Sequence, residues 1–496
     1  MSKVQLSRLL SAALALIATT SLAEAQSARF EELAKLPFTR GFLTDQDTAT
    51  LREELTFQRA TQAYLWALPA LNMYGMKEGS EKVFGKGYNI LPIFKDRLNA
   101  KTLITTPNSD VIYALGYLDL KEDGPMVIEV PPGLQGILDD FWQRPICSEG
   151  PINGKIWCGD VGLPGPDAGK GGKYLLLPPD YEYEAIPKGY FPFRSRTYGV
   201  FVFWRGFFKD PKQLEEPVKV MERTRIYPLG KEASAKPMQF PNASATPANM
   251  LYPMDGSAFD MLARFIEHEY VDPRDLEMRG VLASLGIEKG KPFAPDAKTR
   301  VLLDLGARTA ARVGHTLIYD GVKVYSDRQW LNPFPGGSAE FIGKTANQVD
   351  FRTSFFTYAY STSPGMAANI ENVGAKYPNA FRDSKGDFLF GGNNYKLTLP
   401  KDIPAALFWS LTLYDPITGS GLDNGQPFPS LNAMDKPVTN ADGSTDIYLG
   451  PSSPGPGKNW MRTLPDQGFF VILRLYGPKQ AFFDQSWKPG DIEKID

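Results

Sequence analysis

Residues 407–414 read Leu407-Phe408-Trp409-Ser410-Leu411-Thr412-Leu413-Tyr414, and residues 469–476 read Phe469-Phe470-Val471-Ile472-Leu473-Arg474-Leu475-Tyr476. Successive side chains of a β-strand point to opposite faces. On that reading Leu407, Trp409, Leu411 and Leu413 share one face of the first strand, and Phe408, Ser410, Thr412 and Tyr414 share the other. In the second strand Phe469, Val471, Leu473 and Leu475 oppose Phe470, Ile472, Arg474 and Tyr476. Both faces carry large side chains, as expected in a sandwich whose second face is partly covered. These strands set the expectation for the chain: mainly β with helical segments, as two β-sandwich (jelly-roll-like) domains with an intervening helical region.

The same texture recurs upstream. Met126–Val130, Tyr174–Leu177 and Tyr198–Trp204 are short apolar, aromatic and β-branched runs bounded by Gly and Pro. Residues 30–80 instead follow a helical stripe through Leu51, Leu55, Tyr64 and Leu68, which Pro69 is expected to kink or end. Helical patterning returns at 211–232, 257–287 and 296–317. The expected organisation is a signal peptide at 1–25, a helical segment plus β-sandwich at 26–210, a helical connecting region at 211–330, and a second β-sandwich at 331–496.

Lys3 and Arg8 precede an apolar run from Leu9 to Leu22, and Ala23-Glu24-Ala25 offers small residues for cleavage before Gln26. That pattern is a secretory leader, and its apolar run falls short of the ~20 residues of a membrane span. No later segment reaches transmembrane length, so a soluble periplasmic or secreted protein is expected. Without the leader the net charge is about −3, which gives no electrostatic footprint for nucleic acid. Cys147 and Cys158 are the only cysteines, and in an oxidising compartment the default is a disulfide, two free thiols being the alternative. A four-residue loop, Pro151-Ile152-Asn153-Gly154, would set Cys147 opposite Cys158, whereas a two-residue Asn153-Gly154 turn would miss that register by two.

The histidine count excludes much chemistry. With only His268 and His315, a three-histidine zinc site is impossible, and His268-Glu269 lacks the second histidine of a metalloprotease motif. No nucleophile elbow occurs. Gly165–Lys170 imitates a phosphate loop but has the wrong glycine spacing and Gly171 where Ser or Thr is needed. No motif calls for a metal or a cofactor. Three features survive as candidate site elements. Asn108, Asp110 and Tyr113 lie in Thr106-Pro107-Asn108-Ser109-Asp110-Val111-Ile112-Tyr113, where Asn and Asp could equally close an Asx turn. Tyr414 and Asp415 end a strand before a long polar loop, a usual place for sites and for turn formers alike. Arg474, in an apolar strand, must pair or snorkel, as a ligand anchor or in a structural ion pair.

At these residues the chain resembles a tandem pair of bacterial families, domains of unknown function twelve-fifty-four (N-terminal) and twelve-fourteen (C-terminal). The N-terminal family's TPNNDTLY-like signature stands here as Thr106–Tyr113, followed by Leu118-Asp119, with Ser109 and Val111 departing from the usual Asn and Thr. The C-terminal family's FWSLTLYD segment stands as Phe408–Asp415. Its N-x-D-G-S turn matches Asn440, Asp442, Gly443 and Ser444, and its closing strand matches Leu473–Tyr476 and Trp487-Lys488-Pro489. The resemblance implies two β-sandwich domains with helices between them and supplies no activity.

The functional expectation is an exported protein that binds a small organic or glycan-like ligand, with chemical processing of that ligand left open. Export, 12% aromatic residues and polar strand-end loops motivate it. A metal-independent hydrolase using Asp110 and Asp415 as its acid/base pair is the first alternative, and an envelope structural or interaction protein is the second.

Overall fold

A computed structural model describes residues 28–183 and 185–496; the leader at 1–25 lies outside the described residues. The two opening strands form as Ala405–Tyr414 and Phe470–Pro478 and pair antiparallel, Trp409 opposite Leu475, Leu411 opposite Leu473 and Leu413 opposite Val471. They are the centre of a five-stranded sheet with Ala375–Lys376, Asn379–Ala380 and Ser430–Asn432. One face carries Trp409, Leu411, Leu413, Val471, Leu473 and Leu475 against Leu397, Leu399, Ile447, Leu449 and Met461 of a second sheet. That second sheet comprises Asn394–Leu399, Thr445–Gly450, Asn459–Arg462 and Glu493–Ile495. The opposite face carries Phe408, Tyr414, Phe470, Ile472 and Tyr476 into a different cluster. Leu407 departs from the alternation. The register slips between Ala405 and Phe408, and Leu407 turns out to 65% exposure, because an extra residue in a strand reverses the facing of what precedes it.

The N-terminal half repeats this plan. Ile112–Asp119, Gly199–Gly206, Gln135–Asp140 and Asp160–Val161 form one antiparallel sheet. Ala114, Leu118, Leu138, Val200, Val202 and Trp204 on one of its faces share a buried cluster with Met126, Ile128, Tyr174, Leu176 and Phe193 of a five-stranded neighbour. The neighbour's outermost strand is Arg225–Pro228, paired with Met126–Val130. The helical expectation for 211–232 is thus corrected: only Glu215–Met221 is helical there. Segment 225–228 supplies an edge strand because Ile226 and Tyr227 have buried positions waiting on opposite faces.

Between the two sheet pairs lies a layer of helices, chiefly Asp45–Phe84, Ser257–His268, Ala297–Tyr319 and Val349–Tyr358. Helix (28%) slightly exceeds strand (24%), so the chain is mixed α/β with several sheets and the mainly β expectation is corrected. Aromatic, Gly and Pro residues read as strand-and-turn signals fall largely in long connections and within the helices themselves. The Asp45–Phe84 helix starts on Thr44, whose hydroxyl accepts from the Asp47 amide, and runs through Pro69 to Phe84. A proline inside a helix costs about 3 kcal/mol. Burial offsets it, since nearly every residue from Ala60 to Met76 is buried; Gln143 also ties this turn to the rest of the fold by donating to the Pro69 carbonyl at 2.7 Å. Gly306 lets the Ala297–Tyr319 helix approach closely, since a β-carbon there would sit 2.6 Å from that of Ala60. One cluster joins these helices to the inner faces of both central sheets.

Cys147 and Cys158 are bonded and directly opposed. Their hairpin nevertheless closes on the Asn153-Gly154 turn, with Ile152 opposite Lys155 and positive φ at both central residues, a type I′ geometry. The two-residue mismatch in register is taken up by Glu149–Pro151, which leaves the ladder as the Ser148 hydroxyl bonds the Gly150 carbonyl. A closed loop of this size contributes about 2–3 kcal/mol on the chain-entropy account.

Candidate functional site

The family motifs meet where the halves join. The segment Thr106–Asp110 leaves the N-terminal half and docks on the C-terminal strands. The Thr106 amide donates to the Gly419 carbonyl, with Thr106 held at φ 35°. The Tyr414 hydroxyl donates to the Pro107 carbonyl at 2.6 Å. Asn108 accepts from the Asp110 amide at 2.8 Å, the Asx geometry, and its side-chain NH2 donates to the Tyr476 hydroxyl. A β-branched residue at positive φ is costly and persists only when its surroundings over-determine it. Here bonds from both halves do so.

Asp110 is fully buried and its carboxylate is saturated. It accepts from Arg97 (2.9 Å), Ser430 (2.7 Å) and Asn432 (2.6 Å). Arg97 also pairs with Asp435 at 3.1 Å, donates to the Ser109 carbonyl and lies over the Phe428 ring. Asp415 accepts from the Ile417 and Thr418 amides, the Thr418 hydroxyl and Gln467, closing the turn that follows the strand. Protein donors therefore occupy both carboxylates. Asp110 sits in the seam and Asp415 in a strand-end turn.

Arg474 takes neither Asp415 nor any other carboxylate among the described residues. It is 4% exposed, donates to the Thr412 hydroxyl at 3.1 Å and, at 3.3 and 3.5 Å, to the Thr106 and Pro107 carbonyls. Asp415 is withheld because its own turn holds one oxygen and Gln467 holds the other. Arg474 and Tyr113 instead line a cavity of about 60 Å³ between the inner faces of the two central sheets. Arg205 lines it too, and sequence reasoning missed it. Arg205 stands opposite Tyr113 on one side and Gln135 on the other. It lies over the Phe203 ring at 4.9 Å, and its only side-chain donation is to the Met366 sulfur at 3.2 Å. Its Nε is buried without a hydrogen-bond partner.

Two guanidiniums thus border one cavity with no carboxylate paired to either among the described residues. Around them stand Tyr113, Tyr360 and Tyr377. Burial pushes the Tyr113 hydroxyl up to about 12 while the charges of Arg205 and Arg474 pull it down. At neutral pH it is a neutral donor, and both arginines are charged. A cavity of this size admits a few waters or a small acid group, and its polar lining is rich in donors. The signal for Arg205 was present: in Val200-Phe201-Val202-Phe203-Trp204-Arg205 it repeats the Arg474 anomaly at a strand end. Tyr360 and Tyr377 had no such signal.

A second chamber, about 110 Å³, adjoins the first and shares Arg205 with it. Asp160 lines this outer chamber. Burial raises its carboxyl above the usual range, opposed by hydrogen bonding that includes the Gly365 amide at 2.8 Å. The same segment is fixed deeper in by Asp139, which accepts from the Ser361 hydroxyl and the Thr362 amide.

Two sheet-paired halves clasped by reciprocal motifs around a shared cavity define a tandem two-domain α/β protein. The chain carries the two domains described as Protein of unknown function (DUF1254), over residues 88–228, and Protein of unknown function (DUF1214), over residues 374–480. It is similar to the crystal structure of the VPA0106 protein from Vibrio parahaemolyticus, at 18% identity and TM-score 0.54, covering 89% of this chain and 100% of that one, a likeness of fold. An uncharacterized protein from Burkholderia cenocepacia aligns at 14% identity and TM-score 0.36, covering 90% of this chain and 96% of that one. No curated protein matches.

Proposed function

We propose that this is an exported binding protein whose ligand is a small organic anion, held between the two central sheets by Arg205, Arg474 and Tyr113. One observation carries the reading: a buried guanidinium, Arg474, and a half-buried one, Arg205, face one cavity with no carboxylate paired to either among the described residues. Asp160 acts on Arg205 through its field alone, without an ion-pair contact, and a buried charge such as Arg474 without a paired counter-charge is costly, so an incoming anion would supply the missing partner. Charge-assisted hydrogen bonds of this kind contribute about 1.5–3 kcal/mol each. The aromatic walls, Phe203, Phe334 and Phe355 among them, suit an organic body more than a bare inorganic ion. The bonded Cys147–Cys158 pair supports an oxidising compartment and hence the leader reading. The paired sheets in each half support reading them as jelly-roll-like sandwiches. Among the described residues no helix is long and apolar enough to cross a membrane.

The test is thermal unfolding in the presence of small carboxylates, sulfonates and phosphate, each set against its neutral amide or alcohol. A ligand at a hundred times its Kd stabilises the native state by about 2.7 kcal/mol, an upward shift of several degrees. Acids should raise the melting temperature and their neutral isosteres should not. Stabilisation by neutral sugars with none by acids would overturn the reading.

A further inference from the structure

Resting on the anion-site reading above, we infer that the outer chamber is the seat of an apolar tail, so that the ligand is an amphipathic monoanion. Its acid group would reach Arg205 and Arg474, and a hydrocarbon chain would extend back through the outer chamber. Three observations converge. Arg205 is common to both chambers, whereas the other neighbouring chamber meets the cavity at Pro333, Phe334 and Tyr377, away from either arginine, so an acid bound to Arg205 has the outer chamber beside it for its substituent. The outer wall carries Val161, Phe207 and Val373. At its lip stand Leu163 and Leu407, 68% and 65% exposed, two large apolar side chains flanking one opening.

Leu407 is there because of the register slip between Ala405 and Phe408, which withdraws it from the sheet core and gives it to the chamber. Gly374 and Gly365, also in the lining, pack backbone on backbone, since a β-carbon on Gly374 would sit 1.7 Å from the Gly365 carbonyl oxygen. Asp160, also in the outer chamber, disfavours a second negative group on the tail. The ligand is therefore a monoacid with an uncharged chain. Hydrocarbon buried in such a chamber should tighten binding roughly three- to fourfold per methylene until the space is filled.

The experiment is calorimetric titration of the full chain with straight-chain alkanoates from acetate to octanoate, with suberate and octanamide alongside. The parent should bind more tightly as the chain lengthens, suberate at least tenfold more weakly than octanoate, and octanamide not at all. In the lip variant Leu163→Asn/Leu407→Asn, which adds no charge, propanoate should bind as it does to the parent while the gain toward octanoate disappears. Both positions are exposed, and an unchanged melting temperature confirms folding. Short and long acids binding equally, or a lip variant that keeps the full chain-length gain, would overturn the tail assignment and leave the anion site standing. Failure of every acid at every length would overturn both.

Discussion

Arg97 and Arg474 are both buried at the seam between the halves, yet they are treated in opposite ways. Arg97 has Asp110 and Asp435 as counter-charges, a carbonyl on its Nε and an aromatic ring beneath it. Arg474, with Arg205 near it, has a hydroxyl, long contacts to two carbonyls and no carboxylate. The first arrangement spends its electrostatics within the protein and holds two domains together. The second leaves cationic potential directed at a cavity. Both grow from motifs that a sequence reading singles out together, so adjacency in a motif says little about which residue is a rivet and which is a receptor.

The largest expected effect breaks the compensated side. Asp110→Ala strands Arg97 and unbonds Ser430 and Asn432, and removing one partner of a buried pair costs about 3–5 kcal/mol. Chemical denaturation should show the loss in full. A variant within about 1 kcal/mol of the parent would mean that Asp435 alone neutralises Arg97.

Next comes a buried acid without a paired arginine or lysine. Glu269 accepts from the Tyr198 and Gly199 amides, and burial pushes its carboxyl from 4.5 up to about 7, with His268 and the amides opposing. The folded state therefore keeps this proton longer than the unfolded chain does. Its contribution is fully present below about pH 4.5 and is lost as pH rises to about 7, on the order of 3 kcal/mol over the window. Glu269→Gln should flatten the fall in melting temperature between pH 4.5 and 7.5. Part of the slope should persist, because burial also raises Asp140, to about 6, and Asp139. An unchanged pH profile would remove Glu269 from the account.

The smallest stability effect belongs to the uncompensated side. Arg205→Met replaces a guanidinium that has no carboxylate with an apolar chain of similar reach, and stability should stay within about 1 kcal/mol of the parent. The same variant should lose the stabilisation by acids described above. A stability loss as large as that of Asp110→Ala would make Arg205 another rivet and erase the contrast.

Much of the fold was legible because alternation survives in isolation. The facing of Trp409, Leu411 and Leu413 against Phe408 and Tyr414 is a property of the extended backbone, and both faces are buried as read. Leu407 was not legible, because a register slip is decided by the partner strand. Of the two outcomes expected at Pro69, a kink or an end, the helix does not end there, because tertiary burial outweighs local propensity. The Cys147–Cys158 pairing followed from cysteine count and compartment, while its turn did not, since the extra residues at 149–151 are absorbed by a neighbouring strand that the hairpin itself does not encode. Of the site, Arg474 was legible as an anomaly and Tyr113 as a motif member, while Asn108, Asp110 and Tyr414 were motif members that the structure places in the clasp.

What the sequence determined by itself is what depends on neighbours along the chain: strand facing, the helical stretches flanking Pro69, the cysteine pairing, and the presence of a charged residue where only apolar ones belong. What only the tertiary structure decided is charge balance. Whether a buried arginine is neutralised depends on which carboxylates the fold brings within hydrogen-bond reach. Asp110 meets Arg97 from a neighbouring loop and Ser430 and Asn432 from more than three hundred residues away, while Arg205 and Arg474, from opposite halves of the chain, border a cavity with none in hydrogen-bond reach among the described residues.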